Sequence, residues 1–218
     1  MQSVLRTTIR MALALGLAGF PCLYNLFDAS AAACDVRLNE VCAGPGRDWN
    51  GDGIFSARDD EWIEIVNTGT LPLDLATLLV SDADTTWRWS GVGTLNPGEH
   101  RVLYGLDAVN WQRETGHSIA GFSLANAGDT ARLWMIQGAD TVQADAYTYR
   151  AHEAATDRVV GRVPDMSGVW ALFDALNSYT GTLDPRGTGC APTPGSPNVC
   201  DTTPAEPSTW GRVKAVYR

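Results

Sequence analysis

The chain of 218 residues has a formal net charge of −9 and a single lysine, Lys214. So acidic a chain, with no basic patch to override the repulsion, is not expected to bind a phosphate backbone, which removes nucleic acid from the expected partners. The same balance suits a cation-binding or well-solvated extracellular protein.

Residues 1–33 read as an export signal. Arg6 and Arg10 give a basic start, the Met11–Leu23 stretch is mainly apolar, and Ala29-Ser30-Ala31 has the small-x-small pattern of a cleavage site, with cleavage expected after Ala31 or Ala33. The apolar run is short for a membrane span and contains Pro21. An alternative reading makes Cys34 a lipidated N-terminus, although the residue three before it is Ala rather than a large aliphatic. No second long apolar segment follows, so no membrane span is expected.

Removing the signal removes Cys22 and leaves Cys34, Cys42, Cys190 and Cys200. An even count in an exported chain points to disulfides, and three connectivities are open. Free buried thiols are the competing reading. A zinc site is disfavoured because the spacings are wrong and no histidine lies near.

About 185 residues remain, one domain's worth. Short stretches rich in β-branched and aromatic residues recur along them, separated by Gly, Pro, Asn and Asp. In chain order the expected strands are 36–41, 62–66, 71–75, 78–81, 87–89, 100–104, 122–124, 130–136, 142–149, 159–163 and 169–172. Residues 109–117 and 170–177 are candidates for a loop or a short helix. Strands of this length and number, with turns between them, predict an all-β fold: an immunoglobulin-like antiparallel sandwich over 34–200. Five tryptophans (Trp62, Trp87, Trp89, Trp134, Trp170) fall on these strands and are expected mainly in the core, with an exposed carbohydrate-binding platform as the alternative.

The connection between the first two strands carries the strongest motif, DWNGDGIFSARD from Asp48 to Asp59. Oxygen-bearing side chains stand at the first, third and fifth positions of a twelve-residue loop (Asp48, Asn50, Asp52), Gly53 stands at the sixth, and an acid closes it. Ca²⁺ takes six to eight hard oxygens. This spacing would supply them from Asp48, Asn50 and Asp52, the carbonyl of Ile54, Ser56 directly or through water, and Asp59. Asp in place of the usual closing Glu reaches less far, so Asp60 or Glu61 is a second candidate for completing the shell. The loop joins strands rather than helices, which argues for a brace rather than a sensor. A solvated acidic hairpin is the bland alternative, since Asn-Gly and Asp-Gly are good turn formers.

No catalytic pattern appears. His100, His117 and His152 are scattered and read as polar surface residues. There is no HExxH pattern, and Gly121–Ala125 lacks the closing glycine of a nucleophile elbow. After Cys200, residues 201–208 read as a polar linker and 209–218 as a short basic, amphipathic segment, open to reading as a sorting tag or a frayed tail.

The ordered pieces resemble the lamin tail domain of exported bacterial proteins. They are VRLNEV (36–41), EWIEIVNTG (61–69), LPLDL (71–75), VSD (80–82), GTLNPG (93–98), RVLY (101–104), FSLANAGD (122–129), GRVPD (161–165) and PTPGSPN (192–198). Together they span roughly 35–198. The resemblance implies an immunoglobulin-like sandwich, a binding or attachment role without shared catalytic residues, and a dockerin-like calcium segment at Asp48, Asn50, Asp52 and Asp59. The expected partner is an extracellular protein or glycan.

Overall fold

The computed structural model describes residues 35–200. The expected signal at 1–33, the lipidation site at Cys34 and the segments 201–208 and 209–218 lie outside them.

Eleven strands and one α-helix follow one another: β1 (Val36–Cys42), β2 (Trp62–Asn67), β3 (Leu73–Asp74), β4 (Leu78–Ser81), β5 (Trp87–Ser90), β6 (Thr94–Leu95), β7 (His100–Tyr104), α1 (Gly105–Thr115), β8 (Gly128–Gln137), β9 (Asp140–Arg150), β10 (Val159–Val163) and β11 (Val169–Phe173). A five-stranded sheet in the order β11-β10-β1-β2-β7 faces a four-stranded sheet in the order β5-β4-β8-β9, and β3-β6 forms a small ribbon. All these pairings are antiparallel. The predicted all-β immunoglobulin-like sandwich is the fold observed.

Period-two alternation explains the layers. Ile63 and Ile65 point into the core between the sheets with Leu38, Val80, Leu133 and Leu172, while Trp62 takes the opposite, outer face of the first sheet. A register shift between Leu38 and Glu40 breaks the alternation of β1. It lets Leu38 and Val41 both reach the core, and it brings Glu40 directly opposite Glu64 of β2.

Three elements differ from the sequence reading. Residues 122–124 are not a strand: Gly121 and Ser123 have positive φ, which breaks an extended chain, yet Phe122 and Leu124 still plug the core. The 71–75 strand contracts to Leu73–Asp74, paired with the unpredicted β6. The helix starts at Gly105 rather than 109, and Asp107 accepts from the Tyr104 amide at its first turn. After β11, residues 174–177 form a turn, the loop alternative of the sequence reading.

Cysteine usage also differs from an all-bridged pattern. Cys190 and Cys200 form a disulfide, whereas Cys42 is a free, buried thiol. Cys42 packs in the outer-face apolar cluster with Trp62, Val159 and Phe173, and burial pushes its thiol further above its ordinary range. Such a thiol behaves as a small apolar side chain rather than a nucleophile.

Candidate functional site

The 43–61 connection leaves the end of β1 and is anchored at its start by three contacts. The Trp49 ring meets Trp62 edge to face at 5.7 Å, and its indole N–H donates to Asp157 at 3.0 Å. Arg47 pairs with the same carboxylate at 2.9 Å. Beyond Trp49 the chain curls through short side-chain-to-backbone turns, as Asp and Asn favour. Asp48 accepts from the amides of Gly51 (2.7 Å) and Gly53 (2.8 Å), Asn50 from Asp52 (2.9 Å), and Asp52 from Ile54 (2.8 Å). Gly51 and Gly53 have φ of 75° and 88°, which L side chains rarely adopt, so the glycines at these two positions let the loop turn.

The predicted ligands therefore share one curled, solvent-facing loop, but in different states. Asp48, Asn50, Asp52 and the carbonyl-bearing Ile54 lie in its exposed half. Asp59 is paired with Arg58 at 2.6 Å, and that guanidinium holds its carboxyl below the usual range. The Ser56 hydroxyl accepts from the Asp59 amide. Among the described residues, no three His, Cys, Asp or Glu side chains are gathered as a metal-holding group.

Neither second candidate for the shell faces outward. Asp60 is fully buried, and its carboxylate accepts from the amides of Trp49 (2.8 Å), Asn50 (3.0 Å) and Ser56 (2.8 Å). Glu61 is buried on the far side and accepts from the Leu124 amide. Asp60, left open from the sequence as a second candidate for the ion, has its carboxylate taken up by the loop's own amides. Its signal was the acid pair placed one residue past the loop, directly before the first apolar residue of β2. The loop's end is also stitched to the helix, because Gly105 and Leu106 donate to the carbonyls of Glu61 and Asp59.

A second polar cluster was not anticipated. On the outer face of the five-stranded sheet, the segment 191–199, bounded by the Cys190–Cys200 disulfide, crosses a set of buried acids. Thr193 meets Glu40 through its amide (3.1 Å) and its hydroxyl, and the Gly195 amide donates to Glu64 at 2.6 Å. The Asn198 amide donates to Asp165 at 2.9 Å, and its side chain donates to the carbonyls of Asn39 and Arg162. Asn39 in turn donates to Glu64 (2.8 Å) and Asp165 (3.0 Å). Gly161, opposite Glu40, allows this approach: a Cβ there would lie 2.6 Å from Phe173 and 3.0 Å from the Asn198 side chain. Burial pushes the Glu40 carboxyl up to about 8 and raises that of Glu64 as well. His100, read from sequence as a surface residue, has a side chain only 5% exposed and pairs with Asp165 at 3.1 Å. His117 is exposed and stacks on Trp111, and His152 is half-buried.

The tryptophans divide between the two expectations. Trp62 and Trp89 belong to the core, while Trp87, Trp134 and Trp170 are half-buried. Trp87 and Trp134 meet edge to face at 5.6 Å, and Trp170 stacks on Tyr147 at 4.1 Å. A groove of about 670 Å³ runs between the edge strands β5 and β7 beside α1, floored by Leu75, Trp89 and Leu103, with Asp107 and Glu114 among its polar residues.

These features describe an immunoglobulin-like sandwich with a decorated first connection and a tied-down closing segment. The family model for the Lamin Tail Domain matches residues 29–151, more than half the chain, and the protein belongs to that family. No curated protein matches it. The match ends before β10, yet β10 hydrogen-bonds beside β1 and carries β11 at its other edge, so the sandwich extends beyond the matched segment. Among the described residues no helix is long and apolar enough to cross a membrane.

Proposed function

We propose that this protein is an exported, non-catalytic binding or structural module whose first connection is braced by Ca²⁺. The observation that carries the calcium reading is the succession of side-chain turns at Asp48, Asn50 and Asp52, which curls the chain with oxygen donors at alternate positions. Oxygen donors of this kind match a hard cation. Asp48, Asn50 and Asp52, with the Ile54 carbonyl and Ser56, would hold the ion, and Asp59 would join by giving up Arg58. The ion would neutralise the loop's carboxylates. Asp60 holds the loop's shape independently of the ion through three amides.

Extracellular modules with such loops bind in the range of about 10⁻⁴–10⁻³ M, which suits structural occupancy rather than signalling. Calorimetric titration tests this: the wild type is expected to take up Ca²⁺ in that range, and Asp48→Ala and Asp52→Ala to lose the response. A wild type that gives no heat and no melting shift in millimolar Ca²⁺ rejects the metal part. The export reading rests on the pattern of residues 1–33, and the Cys190–Cys200 disulfide is compatible with an oxidising compartment. Intact mass of the secreted protein checks it, since cleavage after Ala31 or Ala33 and lipidation at Cys34 give different masses.

The half-buried Trp87–Trp134 pair supports a second reading, in which the β5-β4-β8 face contacts a glycan. Trp87→Ala would then abolish retention on a polysaccharide matrix without changing the fold. Equal retention of variant and wild type would reject it.

A further inference from the structure

We propose that the 191–199 segment is a proton-dependent strap, closed on the sheet while the Glu40 carboxyl carries a proton and released when that proton leaves. The first argument is a hydrogen count. The Thr193 hydroxyl has one proton to donate, yet it lies within hydrogen-bond distance of two acceptors, Glu40 Oε1 and Asn198 Oδ1 at 2.9 Å. Both contacts are satisfied only if a proton sits on Glu40. The carboxyl then donates to the Thr193 oxygen, Thr193 donates to Asn198, and the Thr193 amide donates to the remaining carboxyl oxygen at 3.2 Å.

The second argument is register. Glu40 and Glu64 are direct cross-strand partners on β1 and β2, and both are fully buried. Like charges directly opposite each other destabilise a sheet, and more so out of water. Glu64 accepts from Asn39 and Gly195, donors that suit a carboxylate, which leaves Glu40 as the member that carries the proton.

The surroundings supply little positive charge to Glu40. Glu64 faces it from β2 and Asp165 from the turn after β10, and the neighbouring Cys42 on β1 is an uncharged thiol. His100 of β7 is paired with Asp165. The guanidinium of Arg162 on β10 is spent on the Leu38 and Gly168 carbonyls and on Asp145. The strap itself, APTPGSPNV, carries no charged side chain. Its only tethers to this cluster are hydrogen bonds, and the Cys190–Cys200 bridge joins its ends, so release is a local and reversible excursion.

The direction follows from linkage. The closed state keeps on Glu40 a proton that the open state, with an ordinary carboxyl near 4.5, has already lost. Closure is therefore fully favoured below pH 4.5 and weakens as pH rises to about 8. Within that window the opening equilibrium rises about tenfold per pH unit for one proton.

The test is a ¹³C-carboxyl NMR titration of the intact, oxidised protein, combined with amide exchange at Thr193 and Gly195 corrected for intrinsic rates. We expect the Glu40 carboxyl to titrate several pH units above an ordinary glutamate. Protection of the two strap amides should fall steeply between about pH 6 and pH 8 while Ile65 stays protected. Glu40→Gln, which keeps the donor at the same place, should make strap protection independent of pH in that window. A Glu40 midpoint near 4.5 overturns the proposal, as does strap protection in Glu40→Gln that still falls with pH. If that variant does not fold, the wild-type carboxyl midpoint decides alone.

Discussion

Two acid-rich regions of this domain are built on opposite principles. In the 48–60 loop Asp48, Asn50 and Asp52 sit on the solvent-facing side and curl the chain by accepting from nearby amides, within five residues of themselves. In the 191–199 strap region Glu40 and Glu64 are buried in the sheet and accept from a segment more than a hundred residues away in sequence. Local acceptance can be repeated along a sequence and so leaves a spacing. Long-range acceptance leaves only isolated acids in otherwise apolar strands. Asp60 shares the burial of the second kind although it sits at the end of the first region and accepts locally: it is fully buried and binds three amides 4 to 11 residues away.

The sharpest way to break this comparison is to remove one acid of each kind. Asp60→Ala strands three backbone amides, and each unsatisfied buried donor costs about 1–3 kcal/mol, so a loss of roughly 3 kcal/mol or more in urea unfolding is expected. Asp48→Ala strands amides that reach water, and without calcium it should cost less than about 1 kcal/mol. Equal costs would mean that burial does not separate the two regions.

Calcium should act on the first region alone. With a dissociation constant between about 10⁻³ and 10⁻⁴ M, about 10 mM Ca²⁺ stabilises the folded state by roughly 1.4–2.7 kcal/mol. At this size that is a rise of about 3–10 °C in melting temperature, reversed by a chelator. The exchange of the Thr193 and Gly195 amides should not follow it, because the strap's acids already have amide partners. Calcium-dependent strap protection would show that the regions are coupled.

This contrast explains what could be read from the sequence. The strand alternation of Trp62–Asn67 and the spacing of Asp48, Asn50 and Asp52 are short-range patterns, and both were legible. Glu40 and Glu64 were not legible as a pair, because their meeting depends on a bulge after Leu38 that shifts the pairing of β1. Nor could His100 be recognised as buried, since its partner Asp165 lies 65 residues on. Phe122 and Leu124 read as a strand because alternation reports which side chains are buried. It does not report the positive φ of Gly121 just before them or of Ser123 between them.

Gly53→Ala probes the loop's shape without touching a ligand. At φ 88° a Cβ would meet nothing within 4 Å, so the whole penalty is conformational. A non-glycine residue held in this region costs of order 1–3 kcal/mol, and the exposed loop can relax toward the low end, so about 1 kcal/mol is expected. The variant should also lose part of its calcium response, because the turn that aligns Asp48 with Asp52 is the one disturbed. A full response despite the lost stability would show that the ion itself can impose the turn.

Arg58→Ala should have the smallest effect on stability and the most informative effect on the ion. Its pair with Asp59 joins adjacent residues, with Arg58 about half exposed, and exposed pairs contribute about 0–1 kcal/mol, so the unfolding midpoint should scarcely move. The guanidinium nevertheless occupies the carboxylate that closes the loop. Removing it would free Asp59 and take a positive charge from beside the proposed ion. Losing a competitor of about 0.4–1 kcal/mol corresponds to calcium binding tighter by roughly two- to fivefold. The gain should shrink as salt screens the site. If calcium affinity is unchanged, Asp59 is not a ligand, and the ion would be held by the exposed half of the loop, from Asp48 to Ser56.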